Sequence, residues 1–260
     1  MDLGLKGKSV LVTGGTHGIG LAIALELASE GCDIVVCSRT QEHVDQAVKL
    51  IEEKGSCGVG EIVDVLNPND IDRVIATIIN EWGGVDILIN NVGGGGRWGL
   101  EDVVETDESV WMDVYNKNAM AAVRFTMAFL PCMIKRNWGR VVTITSTYGR
   151  EGGGRPWFNM AKCAQTSLMK TLAMNPDLSR YGITFNSVAP GAIMIPDTGW
   201  EEEMINDPEG FKRRVEKQYP LGRIGTPEEV AAVVAFVCSE KASLINGAAI
   251  AVDGAESRSF

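Results

Sequence analysis

The sequence is poor in histidine, with only His17 and His43 in 260 residues, and neither stands at ligand spacing to a cysteine pair or a carboxylate cluster. That argues against a histidine-based nucleophilic triad and against a zinc centre, both of which need several such groups to converge; no metal is expected. Paired cysteines are also lacking. Cys32, Cys37, Cys57, Cys132, Cys163 and Cys238 lie in or beside apolar runs, as reduced, packed cysteines do. Positive charge is scarce, with 24 Lys and Arg against 34 Asp and Glu and a net charge of −10. The cations are scattered singly, whereas a nucleic-acid partner needs them clustered to displace counterions from phosphates, so no nucleic acid is expected. No apolar run reaches membrane-spanning length, and Met1 to Lys8 lacks the apolar stretch of a secretory leader. A cytoplasmic protein with no membrane partner is the expectation. Linkers, low-complexity tracts and internal repeats are missing too, so residues 1–260 read as a single domain.

What is present alternates. Short β-branched runs at Ser9 to Thr13, Ile34 to Cys37, Gly60 to Val63, Ile87 to Asn90, Arg140 to Thr145, Thr184 to Val188 and Ala248 to Val252 are separated by longer helical patterns. Runs that are apolar with little alternation are what strands covered on both faces look like, and the spacings suit right-handed crossovers. The fold expected is α/β: a doubly wound seven-stranded parallel sheet with helices on both faces. Asn67-Pro68 before Ile71 to Trp82, and Thr226-Pro227 before the helix ending near Ser239, place a side-chain acceptor ahead of a proline at the first helical position. The segment Val114 to Ile134 is apolar around most of its circumference. It reads as a surface meeting a second subunit, in a homo-oligomer that is a dimer or homotetramer, or else as a helix enclosed by its own chain.

The most telling local pattern lies at the first strand-to-helix turn. Gly14, Gly18 and Gly20, with Thr16, His17 and Ile19 among them, stand between a buried strand and a helix, where backbone amides and the helix dipole receive a diphosphate. Three residues separate Gly14 from Gly18, and this resembles the Thr-Gly-x-x-x-Gly-x-Gly form of the short-chain dehydrogenase/reductase family, whose fold is Rossmann-like. Further stretches resemble that family in order. Asp64-Val65 is similar to its adenine-contacting pair and Asn90-Asn91-Val92-Gly93 to its Asn-Asn-Ala-Gly motif. Asn118 matches its active-site asparagine, Ser146 its catalytic serine and Lys162 the lysine of its Tyr-x-x-x-Lys motif. Pro190 and Gly191, with Ile193, match the turn beside nicotinamide, and Asn246-Gly247 through Val252-Asp253-Gly254 its last strand. The similarity runs from about Lys8 to Gly254.

The resemblance implies an oxidoreductase that passes a hydride between a nicotinamide and a small-molecule carbonyl or alcohol substrate. After the second strand stands Ser38-Arg39, where a carboxylate would accept hydrogen bonds from the ribose hydroxyls and repel a 2′-phosphate. NADP is therefore expected ahead of NAD. His17 occupies a position that is basic in many NADP-preferring members, but a neutral imidazole carries no full charge near pH 7.

In the family a tyrosine gives the proton to the carbonyl oxygen, the lysine one turn away lowers its pKa, the serine hydrogen-bonds the substrate, and the asparagine holds a relay water. Phenylalanine, Phe158, stands here where the tyrosine would be, at i to the i+4 Lys162. Three explanations are open: an otherwise intact site without its acid, a substitute acid such as Tyr148, or a binding module that no longer catalyses. The loops Asn91 to Gly99 and Gly152 to Trp157 are expected to border the pocket. There Arg97 or Arg155 either pairs an anion or stays solvated, and Trp98 or Trp157 either stacks on a ring or packs against loops. Ile195 replaces a frequent threonine in the nicotinamide turn. Met194, Trp200 and the acidic run Glu201, Glu202 and Glu203 belong to a segment that in this family often closes over substrate.

Overall fold

The computed structural model describes residues 1–259. Its elements in chain order are β1 (Ser9–Thr13), α1 (Gly18–Ser29), β2 (Asp33–Ser38), α2 (Gln41–Glu52), β3 (Gly58–Ile62), α3 (Pro68–Trp82) and β4 (Ile87–Asn90). There follow α4 (Glu108–Tyr115), a π-helical turn at Asn116–Met120, α5 (Ala121–Arg136), β5 (Gly139–Ile144), α6 (Pro156–Ala173), α7 (Pro176–Ser179) and β6 (Ile183–Pro190). The last are α8 (Gly199–Asn206), α9 (Pro208–Gln218), α10 (Pro227–Cys238) and β7 (Ala249–Val252). All seven strands pair in parallel in the order β3-β2-β1-β4-β5-β6-β7.

The unbroken apolar runs are explained by two cores. Along β1, Val10 and Val12 point into a cluster with Ile23, Leu27, Val230 and Val234 of α1 and α10, while Leu11 between them enters a second cluster with Ile71, Phe125 and Phe129 of α3 and α5. Successive strand residues face opposite sides, so a strand roofed on both must be apolar at every position. The chain winds one way from β1 to β3 and the other way from β4 outward, which opens a crevice at the carboxyl ends of β1 and β4.

The seven strands fall where the sequence places them, with shifted ends. β3 begins two residues ahead of the expected Gly60, because Gly58 and Gly60 carry no strand signal; a Cβ at Gly60 would collide with Val44 Cγ1, so α2 requires the bare backbone there. The segment Val114 to Ile134 is not one smooth helix. It is broken by the π turn, and α5 buries Phe125, Phe129 and Met133 against the sheet while Met127 remains 41% exposed.

Candidate active site

The switch point is bolted by side chains that the strands deliver. Thr13 Oγ1 donates to the Ile89 carbonyl and accepts from the amides of Asn91 and Val92, and Asn91 Nδ2 donates to the Thr13 and Gly14 carbonyls at 2.9 and 3.0 Å. This cross-bracing holds the β1 and β4 ends apart at a fixed distance. Above them runs a cleft of about 730 Å³.

One wall is the glycine turn. Gly14, Thr16, His17, Gly18, Ile19 and Gly20 all line the cleft, and no side chain caps α1, whose first amides are left facing the space. Gly20 is required for packing, since a Cβ there would run into the Gly14 carbonyl oxygen. A second wall is made by Ser38, Arg39, Asp64 and Val65, joined by His43 and Leu66. Arg39 is exposed and takes part in none of the ion pairs among the described residues. Its fork is free for an anion. Cys37 also lines the cleft, its thiol pushed up to about 12 by burial, which makes it inert.

The far end gathers Ser146, Phe158, Lys162, Pro190 and Gly191. Ser146 follows β5 and its Oγ accepts from the Tyr148 amide at 3.2 Å, which fixes the hydroxyl at the cleft edge. Phe158 and Lys162 share one face of α6, with the Lys162 Nζ 5.6 Å from the ring centroid. Lys162 is 4% exposed and donates to the Ile144 carbonyl at 3.0 Å. Burial first, and the positive charge of Lys117 second, pull its ammonium down to about 7. Space for it depends on Gly93, where a Cβ would stand 2.9 Å from Nζ.

Two expected site residues sit elsewhere. Asn118 is fully buried and does not line the cleft: its Nδ2 donates to the Gly94 and Val114 carbonyls and its Oδ1 accepts from the Gly94 amide, so the side chain is spent on anchoring the glycine loop. Its own carbonyl accepts from Gln165 Nε2 at 3.1 Å. Ile193 is 5% exposed, bridges to Gly225 and packs into the core with α1 and α10, because the chain beyond Gly191 folds against the start of α10. Trp157 is wholly buried, with Trp111 edge-on at 5.3 Å and its Nε1 donating to the Gly95 carbonyl, so it braces the loop rather than stacking on a ligand. Arg155 lies over that same ring at 5.6 Å. Tyr148 is not among the residues lining the cleft, and Gly153 and Gly154 cover its ring. Arg97 reaches Gly199 across a smaller adjoining recess, Ile195 and Thr198 line the cleft, and Trp98 forms part of its rim.

The sequence pattern did not single out Lys117, which lines the cleft beneath Trp98. The available signal was a cation immediately before Asn118 in a largely apolar segment.

Comparison with known proteins agrees with this geometry. Residues 14–255 match the profile of a family described as Enoyl-(Acyl carrier protein) reductase. The chain is 35% identical over 255 residues to dehydrogenase/reductase SDR family member 4 of Sus scrofa, covering 96% of this chain and 87% of that one. It is 36% identical over 258 residues to the 3-oxoacyl-[acyl-carrier-protein] reductase of Aquifex aeolicus, covering 98% and 99%. Among solved structures, L-sorbose reductase from Gluconobacter frateurii, complexed with NADPH and L-sorbose, superposes with a TM-score of 0.91 at 31% identity over 100% of both chains. A single-residue variant of actinorhodin polyketide ketoreductase with NADPH gives 0.87 at 31% identity over 97% and 98%.

Proposed function

The chain belongs to the short-chain dehydrogenase/reductase family, and on that premise we propose that it is an NADP(H)-dependent oxidoreductase interconverting a secondary alcohol and a ketone, its rate held low because Phe158 supplies no proton. One observation carries the reading: Ser146, Phe158 and Lys162 stand in the wall of the same cleft whose other end holds the glycine turn and the unpaired Arg39. The NADPH in the two superposable reductase structures supports the cofactor choice.

When bound, the nicotinamide supplies or accepts the hydride. The chain does the rest. The uncapped amides of α1 would hold the diphosphate, Arg39 would take the 2′-phosphate, and Pro190 and Gly191 would border the nicotinamide. The Ser146 hydroxyl donates to the substrate oxygen. Lys162, its pKa brought to about 7, stabilises charge developing on that oxygen, with its Nζ 5.6 Å from the Phe158 ring. Asn118 positions the glycine loop that closes this end. The substrate is a small carbonyl or alcohol. Six free cysteines accord with a reducing cytoplasm, and no helix among the described residues is long and apolar enough to cross a membrane.

Replacing a missing general acid restores roughly 10²- to 10⁴-fold in rate. Phe158→Tyr is therefore expected to raise NADPH-dependent carbonyl reduction by that order while leaving NADPH affinity nearly unchanged. If both proteins bind NADPH and neither reduces any carbonyl, the chain is a cofactor-binding module; if the parent already turns over at the rate of its tyrosine variant, another group donates the proton.

A further inference from the structure

Beyond β7 the chain makes a tight reversal organised by Asp253. The Asp253 carbonyl accepts from the Glu256 amide at 3.1 Å, its Oδ1 from the Ala255 amide and its Oδ2 from the Ser257 amide, both at 3.0 Å. Gly254 and Ala255 are left-handed there, with φ of 60° and 66°. A left-handed alanine is strained, and such strain persists only where the surroundings impose it. The reversal aims the half-buried Glu256 back at the turn that follows β6. Its Oε2 accepts from the Ala192 amide at 2.6 Å, and a Cβ at Gly191 would collide with the same oxygen, so the glycine makes room for the carboxylate. The neighbouring links are all backbone to backbone: the Gly191 amide donates to the Val252 carbonyl, and Gly225 receives the Met194 amide and donates to the Ala192 carbonyl. Among the described residues, Glu256 is the one side chain that holds this turn by its amides.

The same segment is tied down again two residues later. The Arg258 and Ser259 amides donate to Glu151 Oε2 at 2.7 and 2.8 Å. Glu151 belongs to the loop that begins at Ser146: its amide donates to the Thr147 carbonyl, and its own carbonyl accepts from Asn159 Nδ2 at 2.8 Å, on α6 one residue after Phe158. Asp253 to Ser259 therefore run from the turn of Pro190 and Gly191 to the loop of Ser146, two pieces of chain that line one end of the cleft. Burial pushes the Glu256 carboxyl above its ordinary range, the Ala192 amide acts against that, and the charges of Asp253 and Glu151 add to it. A carboxylate kept half-buried beside two others needs the amide it holds.

We infer that Glu256 is a positioning residue for the nicotinamide: through the Ala192 amide it fixes the turn that borders the ring, and the segment Asp253 to Ser259 keeps that turn in register with the Ser146 loop. This rests on the NADP(H) reading above. A turn ordered before the cofactor arrives loses little freedom on binding, whereas without Glu256 the ordering must accompany the docking of the nicotinamide half.

The test titrates the parent, Glu256→Ala and Glu256→Gln by calorimetry with NADPH and with 2′,5′-ADP, which lacks the nicotinamide. The fluorescence of bound NADPH is recorded alongside, and circular dichroism establishes that each variant is folded. Glu256→Ala is expected to weaken NADPH by roughly 10-fold, the loss of one hydrogen bond to a charged group, and to leave 2′,5′-ADP within about 3-fold. The fluorescence gained when NADPH binds should fall, because the ring is less confined. Glu256→Gln keeps an acceptor oxygen and should recover most of the NADPH affinity. Should Glu256→Ala not fold, Glu256→Asp carries the same expectation, since a side chain one methylene shorter falls short of the amide. Equal weakening of both ligands would overturn the assignment to the nicotinamide turn, and so would unchanged NADPH affinity in a folded Glu256→Ala or a Glu256→Gln no better than the alanine variant. Failure of the parent to bind either ligand would remove the proposed function itself, an outcome distinct from these.

Discussion

Lys162 carries a charge in the cleft wall that burial penalises heavily. It is buried, its ammonium donates to a backbone carbonyl, and burial with the charge of Lys117 brings its pKa to about 7 from an ordinary 10.5. Between those two values the unfolded chain binds a proton that the folded chain does not, so stability rises with pH across that window; below about 7 both forms are protonated and the penalty of the buried ammonium is present in full. Lys162→Met in the cofactor-free protein is therefore expected to be more stable than the parent at pH 6, by on the order of a few kcal/mol. That advantage should shrink steadily as pH rises from 7 to 10. Thermal denaturation across that range is the check, and a difference independent of pH would contradict the burial argument. Residues of this kind were legible because motif spacing names them: Ser146, Phe158 and Lys162 came from order along the chain and meet in one cleft. Lys117 was not legible, because it lies on a π turn in the cleft wall, and no spacing in the sequence marks an extra residue in a helix. Ile193 misled for a related reason, since its neighbour Gly191 lines the cleft while its own side chain is drawn to Gly225.

Helix starts were the easiest elements to read, and α3 shows why. Asn67 has an extended backbone, its Oδ1 accepts from the Asn69 amide at 3.1 Å, and Pro68 occupies the first helical position, where its missing donor costs nothing. At the other end Gly83 adopts a left-handed conformation, φ 67°, and closes the last turn. Asn67→Ala should cost about 1 kcal/mol. In a domain of this size that lowers Tm by roughly 2–4 °C, and Asn67→Asp, which keeps an acceptor oxygen, should retain most of the stability. Equal losses in the two variants, measured by calorimetry, would show that the cap is not the cause. Strand ends were harder. The start of β3 is hidden by Gly58 and Gly60, and the bare backbone at Gly60 is needed because α2 presses Val44 against it, a tertiary contact that no local pattern encodes.

At the scale of the whole molecule, several of the exposed apolar side chains gather on two separate surfaces. On the α4 to α6 side, Met112, Met127 and Met160 are 51%, 41% and 43% exposed. On the far side, α10 and the approach to β7 present Phe236 at 39% and Leu244 at 96%, beside a sheet edge that has no partner strand among the described residues. An edge of unpaired backbone groups flanked by apolar residues invites pairing with another chain. A two-fold axis through each of two distinct patches generates a closed assembly of dihedral symmetry, with no surface left for indefinite growth. The expected species is a tetramer with four times the 28.0 kDa of one chain, measured by light scattering after size exclusion. Charge at one patch should sever one set of contacts only. Met127→Glu and Leu244→Asp are each expected to leave dimers, and the double variant monomers, with the cleft and its cofactor affinity preserved because neither residue lines it. A parent that runs as a monomer would remove the assembly, and a single variant that falls directly to monomer would show that one patch, not two, holds the chains together.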